Sequence, residues 1–150
     1  MSNLDTPAKD FRIQEYRDEV LPFAHSAHLP ELLPATTAAL TRFNEASKAQ
    51  GIPCIVAIAP PAYVVHRERV QRTFEAFGLD PQTAQLDAPG ERTRSAVPSD
   101  IPVVDLTAAL REESDADPYM IWDPHGSASG HRIAADTMAP LLKTQLEALP

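Results

Sequence analysis

Ile52-Pro53-Cys54-Ile55-Val56-Ala57-Ile58-Ala59 is the stretch that most narrows what this chain can become. It is apolar without alternation, so it reads as a strand buried on both faces, and such strands belong to parallel sheets. Gly51 precedes it and Pro60-Pro61 ends it. Upstream, Pro34 to Gln50 reads as a helix. Leu40, Phe43 and Ala46–Ser47 give it an apolar stripe, Pro34 suits its first turn and Gly51 stops it. A helix, a glycine and then a two-sided strand make half of a βαβ unit.

The rest of the chain extends this pattern. Tyr63–Phe77 reads as the next helix, with Val70, Phe74 and Phe77 on one face and Gly78 as its stop. Leu79 to Asp100 lacks periodicity and is rich in Pro, Asp and Arg. It reads as a long loop with one helical turn near Glu91–Ala96, and loops of that length often border a site. Ile101-Pro102-Val103-Val104-Asp105-Leu106 reads as a second strand. Thr107 to Glu113 follows as a helix, with Asp105 or Thr107 as candidate N-caps. Ser114 to Pro118 is a turn, and Tyr119-Met120-Ile121-Trp122 is a short apolar run. The last helix is expected over Ser129–Leu149, capped by Ser127 or Ser129. Ala134, Met138, Leu141 and Leu142 should face inward, and Pro140 should kink or split the helix. Residues 1–31 form a polar N-terminal segment with one short helix expected near Phe11–Leu21, and 32–150 form the folded unit. The class is α/β with a parallel sheet. Open doubly wound sheets usually have about five or six strands, so two imply part of a larger fold.

Chemistry concentrates in Trp122-Asp123-Pro124-His125-Gly126-Ser127-Ala128-Ser129-Gly130-His131, where a loop enters an Ala-rich helix. In extended backbone, residues two apart point the same way. Asp123 and His125 can therefore face one cleft, the acid fixing the tautomer of the imidazole and stabilising its protonated form. Three readings stay open on spacing alone: a polar loop capping a helix, a base with its orienting acid, and a metal pair without an evident third ligand. Gly126-Ser127-Ala128-Ser129-Gly130 is no nucleophile elbow, because Ala128 holds the central position. His25 and His28 lie three apart with no further ligand nearby, so no metal and no cofactor is expected.

Charge and cysteine usage remove whole classes. Thirteen basic residues against 21 acidic ones give a formal charge of −8, which disfavours nucleic acid and anionic membranes. The single Cys54 excludes an internal disulfide framework and reads as a small buried hydrophobe. No run approaches the ~20 apolar residues of a membrane span, and no signal pattern opens the chain. As written, the product is expected in the cytoplasm, with export open if an N-terminal part is missing.

Asp123-Pro124-His125 followed by Gly130-His131-Arg132-Ile133-Ala134-Ala135 resembles the C-terminal block of the SGNH (GDSL-type) hydrolases. The strand before Pro60-Pro61 and the one at Ile101–Leu106 resemble late strands of that family, so the likeness covers roughly Leu32 to Leu149. It implies an incomplete three-layer flavodoxin-like sandwich and ester chemistry: a serine attacks the acyl carbon, His125 is the general base and Asp123 orients it. His131 matches a position of structural rather than chemical use. The family's Gly-Asp-Ser nucleophile block and its oxyanion glycine and asparagine blocks have no counterpart here. The resemblance therefore implies only the C-terminal portion of a hydrolase. It would be inactive alone, since losing triad members costs on the order of 10⁴–10⁶ in rate. Its substrate would be a small-molecule or carbohydrate ester once the missing half is supplied. Alternatives are a non-catalytic α/β binding protein whose sheet edge a partner covers, or part of a polysaccharide O-acetyltransferase-like protein. The latter branch shares the one-residue Asp–His spacing, although an aromatic often follows its histidine where Gly126 stands here.

Overall fold

A computed structural model describes residues 29–76, 78, 80–83, 85–112, 117–120 and 125–149. The helix expected near Phe11–Leu21, and His25 and His28, lie outside these residues. The element order is α1 (Leu29–Ala49), β1 (Val56–Ile58), α2 (Ala62–Val65), α3 (Arg67–Ala76), a 3-10 turn (Pro81–Thr83), α4 (Ala88–Ala96), β2 (Val103–Asp105), α5 (Thr107–Glu112) and α6 (Ala128–Glu147).

Helix dominates, and the only sheet among the described residues is a parallel pair, β1 with β2. The expectation of an incomplete three-layer flavodoxin-like sandwich is therefore wrong. Both expected strands exist and run parallel, Val56 opposite Val103 and Ile58 opposite Asp105, but each is three residues long. Pro53 and Pro102 lack the N–H that would extend the ladder backwards. The Val56 N–H still reaches the Pro102 carbonyl at 2.9 Å, and the Leu106 N–H reaches Ile58 O at 3.0 Å. Burial is not two-sided either, for Ile58 is buried while Ala57 is exposed. Among the described residues each strand has one hydrogen-bonded neighbour, so the pair is an open fragment of sheet.

α1 starts earlier than expected, so Pro34 lies inside it rather than in its first turn. Its stop is the expected one. Gly51 adopts φ 68°, its N–H bonds Lys48 O, and the Ile52 N–H bonds Ser47 O, which together satisfy the last carbonyls in a Schellman motif. The apolar stripe does not hold, because Phe43 is 61% exposed whereas Asn44 is buried. The inward face works by hydrogen bonds instead. Thr37 Oγ1 donates to Ala96 O (2.7 Å), and Asn44 Nδ2 and Lys48 Nζ both donate to Asp100 Oδ2 (2.9 and 2.5 Å). The Lys48 hydrogen bond is the main reason the Asp100 carboxyl sits below the usual carboxylate range.

The helix expected over Tyr63–Phe77 is two helices, broken at His66 (φ −88°, ψ 66°). Val70 and Phe74 are its deepest residues, as their spacing implied; Phe77 lies outside the described residues. The segment read as a loop is largely α4 and a 3-10 turn. Leu106, Leu110 and Ile133 form a buried cluster that joins α5 to α6, with Val65, Val104, Ala134 and Met138 against it. Full burial of side chains of this size stabilises by about 1.5–3 kcal/mol each. α6 runs unbroken through Pro140, and its far end turns outward, leaving Leu142 and Leu146 exposed.

Candidate functional site

Parallel strands direct ligands to the crevice beyond their carboxyl ends. Here Ile58 and Asp105 end β1 and β2 side by side and line a cavity of about 850 Å³. Pro60 and Pro61 stop β1 and turn the chain into α2, which supplies Tyr63 and Val64 to one wall; α4 supplies Pro89, Gly90 and Arg94 to the other. The long segment read as a site-bordering loop thus does border the cavity, through Leu86, Asp87 and α4.

The polar groups of the cavity are mostly engaged. Asp105 Oδ1 accepts the Thr107 N–H (2.9 Å) and so caps α5, while Arg94 approaches its other oxygen at 4.0 Å. Arg111 donates Nε and Nη2 to Val64 O (3.1 and 2.9 Å). That satisfies a carbonyl which a helix of four residues leaves without a partner. The same Nη2 donates to Asp87 Oδ1 (2.7 Å), and Arg67 Nη2 donates to both Asp87 oxygens (2.9 and 2.7 Å). Partial burial alone would raise the Asp87 carboxyl, but hydrogen bonds and charge from Arg111 and Arg67 outweigh it and hold it below the usual range.

The described residues on either side of the Asp123 segment attach to this end of the sheet through Tyr119. Tyr119 is buried, and its hydroxyl donates to the carbonyl of Pro60 on the cavity wall. Burial pushes that phenol above its ordinary range. Tyr119 also pairs with Gly126 in an antiparallel bridge. The Met120 N–H donates to His125 O (3.0 Å) and the Ser127 N–H to Pro118 O (2.9 Å), so residues 118–120 and 125–127 pair as the two arms of a hairpin. His125 stands on its returning arm, exposed, and is not among the residues that line the cavity. Asp123 lies outside the described residues, so the expected Asp123–His125 contact has one described partner. Ser127 is the N-cap of α6: its Oγ accepts the Gly130 N–H (3.2 Å) and donates to Asp117 O (2.6 Å). Ser129 Oγ is buried. The His131 ring lies against Gly126, 3.5 Å from where a Cβ would stand, consistent with packing rather than chemistry.

Sequence reasoning missed an acid–imidazole contact that the fold brings together. His66 Nε2 lies 2.8 Å from Asp117 Oδ1, both side chains mostly buried, with the His66 ring edge-on to Tyr119 at 6.0 Å. His66 also lines a smaller cavity of about 470 Å³ with Arg67 and Arg111. Asp117 read only as a turn residue, and nothing local in the sequence ties it to His66. Among the described residues no three His, Cys, Asp or Glu side chains group as a metal site, and no helix is long and apolar enough to cross a membrane.

Residues 16–150 match the family model of the SGNH hydrolase-like domain of the acetyltransferase AlgX. The likeness thus spans nearly the whole chain and corrects the expectation that it is confined to a C-terminal portion of the hydrolases, beginning near Leu32. No curated protein and no solved structure matches the chain.

Proposed function

Since the chain belongs to the SGNH hydrolase-like family of the acetyltransferase AlgX, we propose that it serves acetyl transfer onto carbohydrate hydroxyls, with His125 as general base and Asp123 as its orienter. The observation that carries this reading is the family match over residues 16–150, which include Asp123-Pro124-His125, together with the docking of Tyr119, whose arm pairs with that of His125, at the carboxyl end of the parallel pair. His125 takes the proton of an attacking hydroxyl as its oxygen bonds the acyl carbon, then returns that proton to the leaving oxygen. Asp123 keeps the ring in the tautomer whose free nitrogen faces the hydroxyl and stabilises the imidazolium that forms.

Neither serine beside the hairpin suits the role of nucleophile. Ser127 Oγ is engaged by Asp117 and Gly130, and Ser129 Oγ is buried. The base loop therefore works with a serine or an acceptor hydroxyl brought to it, and we expect little turnover from this chain in isolation. Among the described residues β1 and β2 each have one unpaired edge, which would suit a covering partner.

The test is made in the host cell. Deleting the coding sequence should lower the ester-linked acetyl content of cell-associated polysaccharide. An allele carrying His125→Ala or Asp123→Asn should fail to restore it, while Arg72→Ala on the exposed face of α3 should restore it. Unchanged acetyl content after deletion, or full restoration by His125→Ala, would overturn the reading.

A further inference from the structure

We propose that His66 and Asp117 are positioning residues that tether the root of the hairpin carrying His125. The inference rests on the acetyl-transfer reading only for what the positioning is for; the tether itself is a matter of geometry.

Asp117 is where four pieces of the chain meet. Its Oδ1 faces His66 Nε2 at 2.8 Å and accepts the Tyr119 N–H at 3.0 Å, which turns the outgoing arm of the hairpin. Its carbonyl accepts Ser127 Oγ at 2.6 Å, which ties that arm to the returning one. Ser127 in turn caps α6 through the Gly130 N–H. One residue thus links the α2–α3 break, both hairpin arms and the start of α6.

His66 is suited to hold the other end. Its N–H bonds Ala62 O (2.9 Å) and its carbonyl accepts the Val70 N–H (3.3 Å), so its backbone is fixed from both sides of the helix break. The flanking Val64 and Val70 are buried. A side chain issuing from such a platform loses little further freedom when it binds, so the contact is not offset by a large ordering cost. With the imidazole protonated the contact is an ion pair, and partial burial keeps it from the screening that weakens exposed pairs. The Tyr119 ring beside His66 and its hydroxyl on Pro60 add a second anchor to the same root. Without the Asp117 side-chain contact, the outgoing arm would keep the Tyr119 anchor on Pro60 but lose its tie to the α2–α3 break. A base displaced by about 1 Å loses on the order of 10² in rate.

The tether is read by amide hydrogen exchange in the folded chain. The Met120 and Ser127 amides bond across the hairpin and report its opening; the Leu106 and Leu110 amides report the core. His66→Ala and Asp117→Asn should each speed exchange at Met120 and Ser127 about fivefold, equivalent to about 1 kcal/mol, and leave Leu106 and Leu110 unchanged. The double variant should exchange no faster than either single one, because the two residues form one interaction. His66→Gln, which keeps a donor, should recover most of the protection. The His125 ring resonances should shift in both single variants and return in His66→Gln. Unchanged hairpin exchange in a folded His66→Ala protein, or additive effects in the double variant, would overturn the tether. If exchange responds as stated while polysaccharide acetylation ignores His125→Ala, the tether stands and the acetyl-transfer reading falls.

Discussion

Gly130 tests the junction on which the hairpin depends. It is buried in the first turn of α6, and a Cβ added there would stand 2.1 Å from Pro118 O, 3.0 Å from Pro118 C and 3.3 Å from its Cα. All three are backbone atoms, so no flexible side chain can swing aside. Gly130→Ala must move α6 or the Pro118 peptide by roughly 1 Å to reach ordinary contact. Forced overpacking of this kind costs about 1–3 kcal/mol. Moving the Pro118 carbonyl also weakens the bond it accepts from the Ser127 N–H, a further loss of about 1 kcal/mol. Against this, alanine is the better helix former by about 0.8–1.0 kcal/mol. The balance is a loss of roughly 1–3 kcal/mol, or a fall in Tm of about 2–12 °C at this chain length. Gly90→Ala is the matched control: Gly90 lies within α4, and a Cβ there meets nothing within 4 Å. It should leave stability unchanged or raise it by up to about 1 kcal/mol. Thermal unfolding followed by circular dichroism measures both. If Gly130→Ala unfolds at the wild-type temperature or above it, the close approach of α6 to Pro118 is wrong.

Tyr119→Phe removes the donor to Pro60 O and leaves a buried carbonyl unsatisfied, so it should cost roughly 1–3 kcal/mol in urea unfolding; a neutral effect would mean that the hairpin is not docked through this hydroxyl. Asp87→Asn should lower stability at neutral pH. The native carboxyl is held below its unfolded value by Arg111 and Arg67, so its contribution is complete above the unfolded pKa of about 3.9 and is lost as pH falls through the lower native value. The stability gap between wild type and variant should therefore close as pH drops below about 4; a gap independent of pH would contradict the ion-pair account. Finally, the purified chain should hydrolyse p-nitrophenyl acetate no faster than His125→Ala does; turnover abolished by that substitution would show that the chain holds its own nucleophile.

The sequence exposed the parallel pair because Ile52–Ala59 and Ile101–Leu106 are predominantly apolar without alternation, and it exposed the Schellman stop because glycine takes φ 68° at Gly51 without the strain of a Cβ. It overstated the sheet because periodicity cannot tell a long buried strand from a run that Pro53 and Pro102 prevent from pairing. The inward face of α1 was hidden for a different reason. Thr37, Asn44 and Lys48 hold it through hydrogen bonds to residues more than fifty positions away, and a search for apolar stripes picks Phe43 instead. Asp123 and His125 could be proposed from sequence because their spacing is local. His66 and Asp117 could not, since the helix break and the hairpin that bring them together are products of the fold.

Nuclear magnetic resonance of the His125 ring tests the pairing of base and orienter most directly. The account predicts a slowly exchanging, downfield ring N–H of His125 that disappears in Asp123→Asn while the Met120 and Ser127 amides stay protected. A ring N–H that persists unchanged in Asp123→Asn, or is never protected in the wild type, would contradict it.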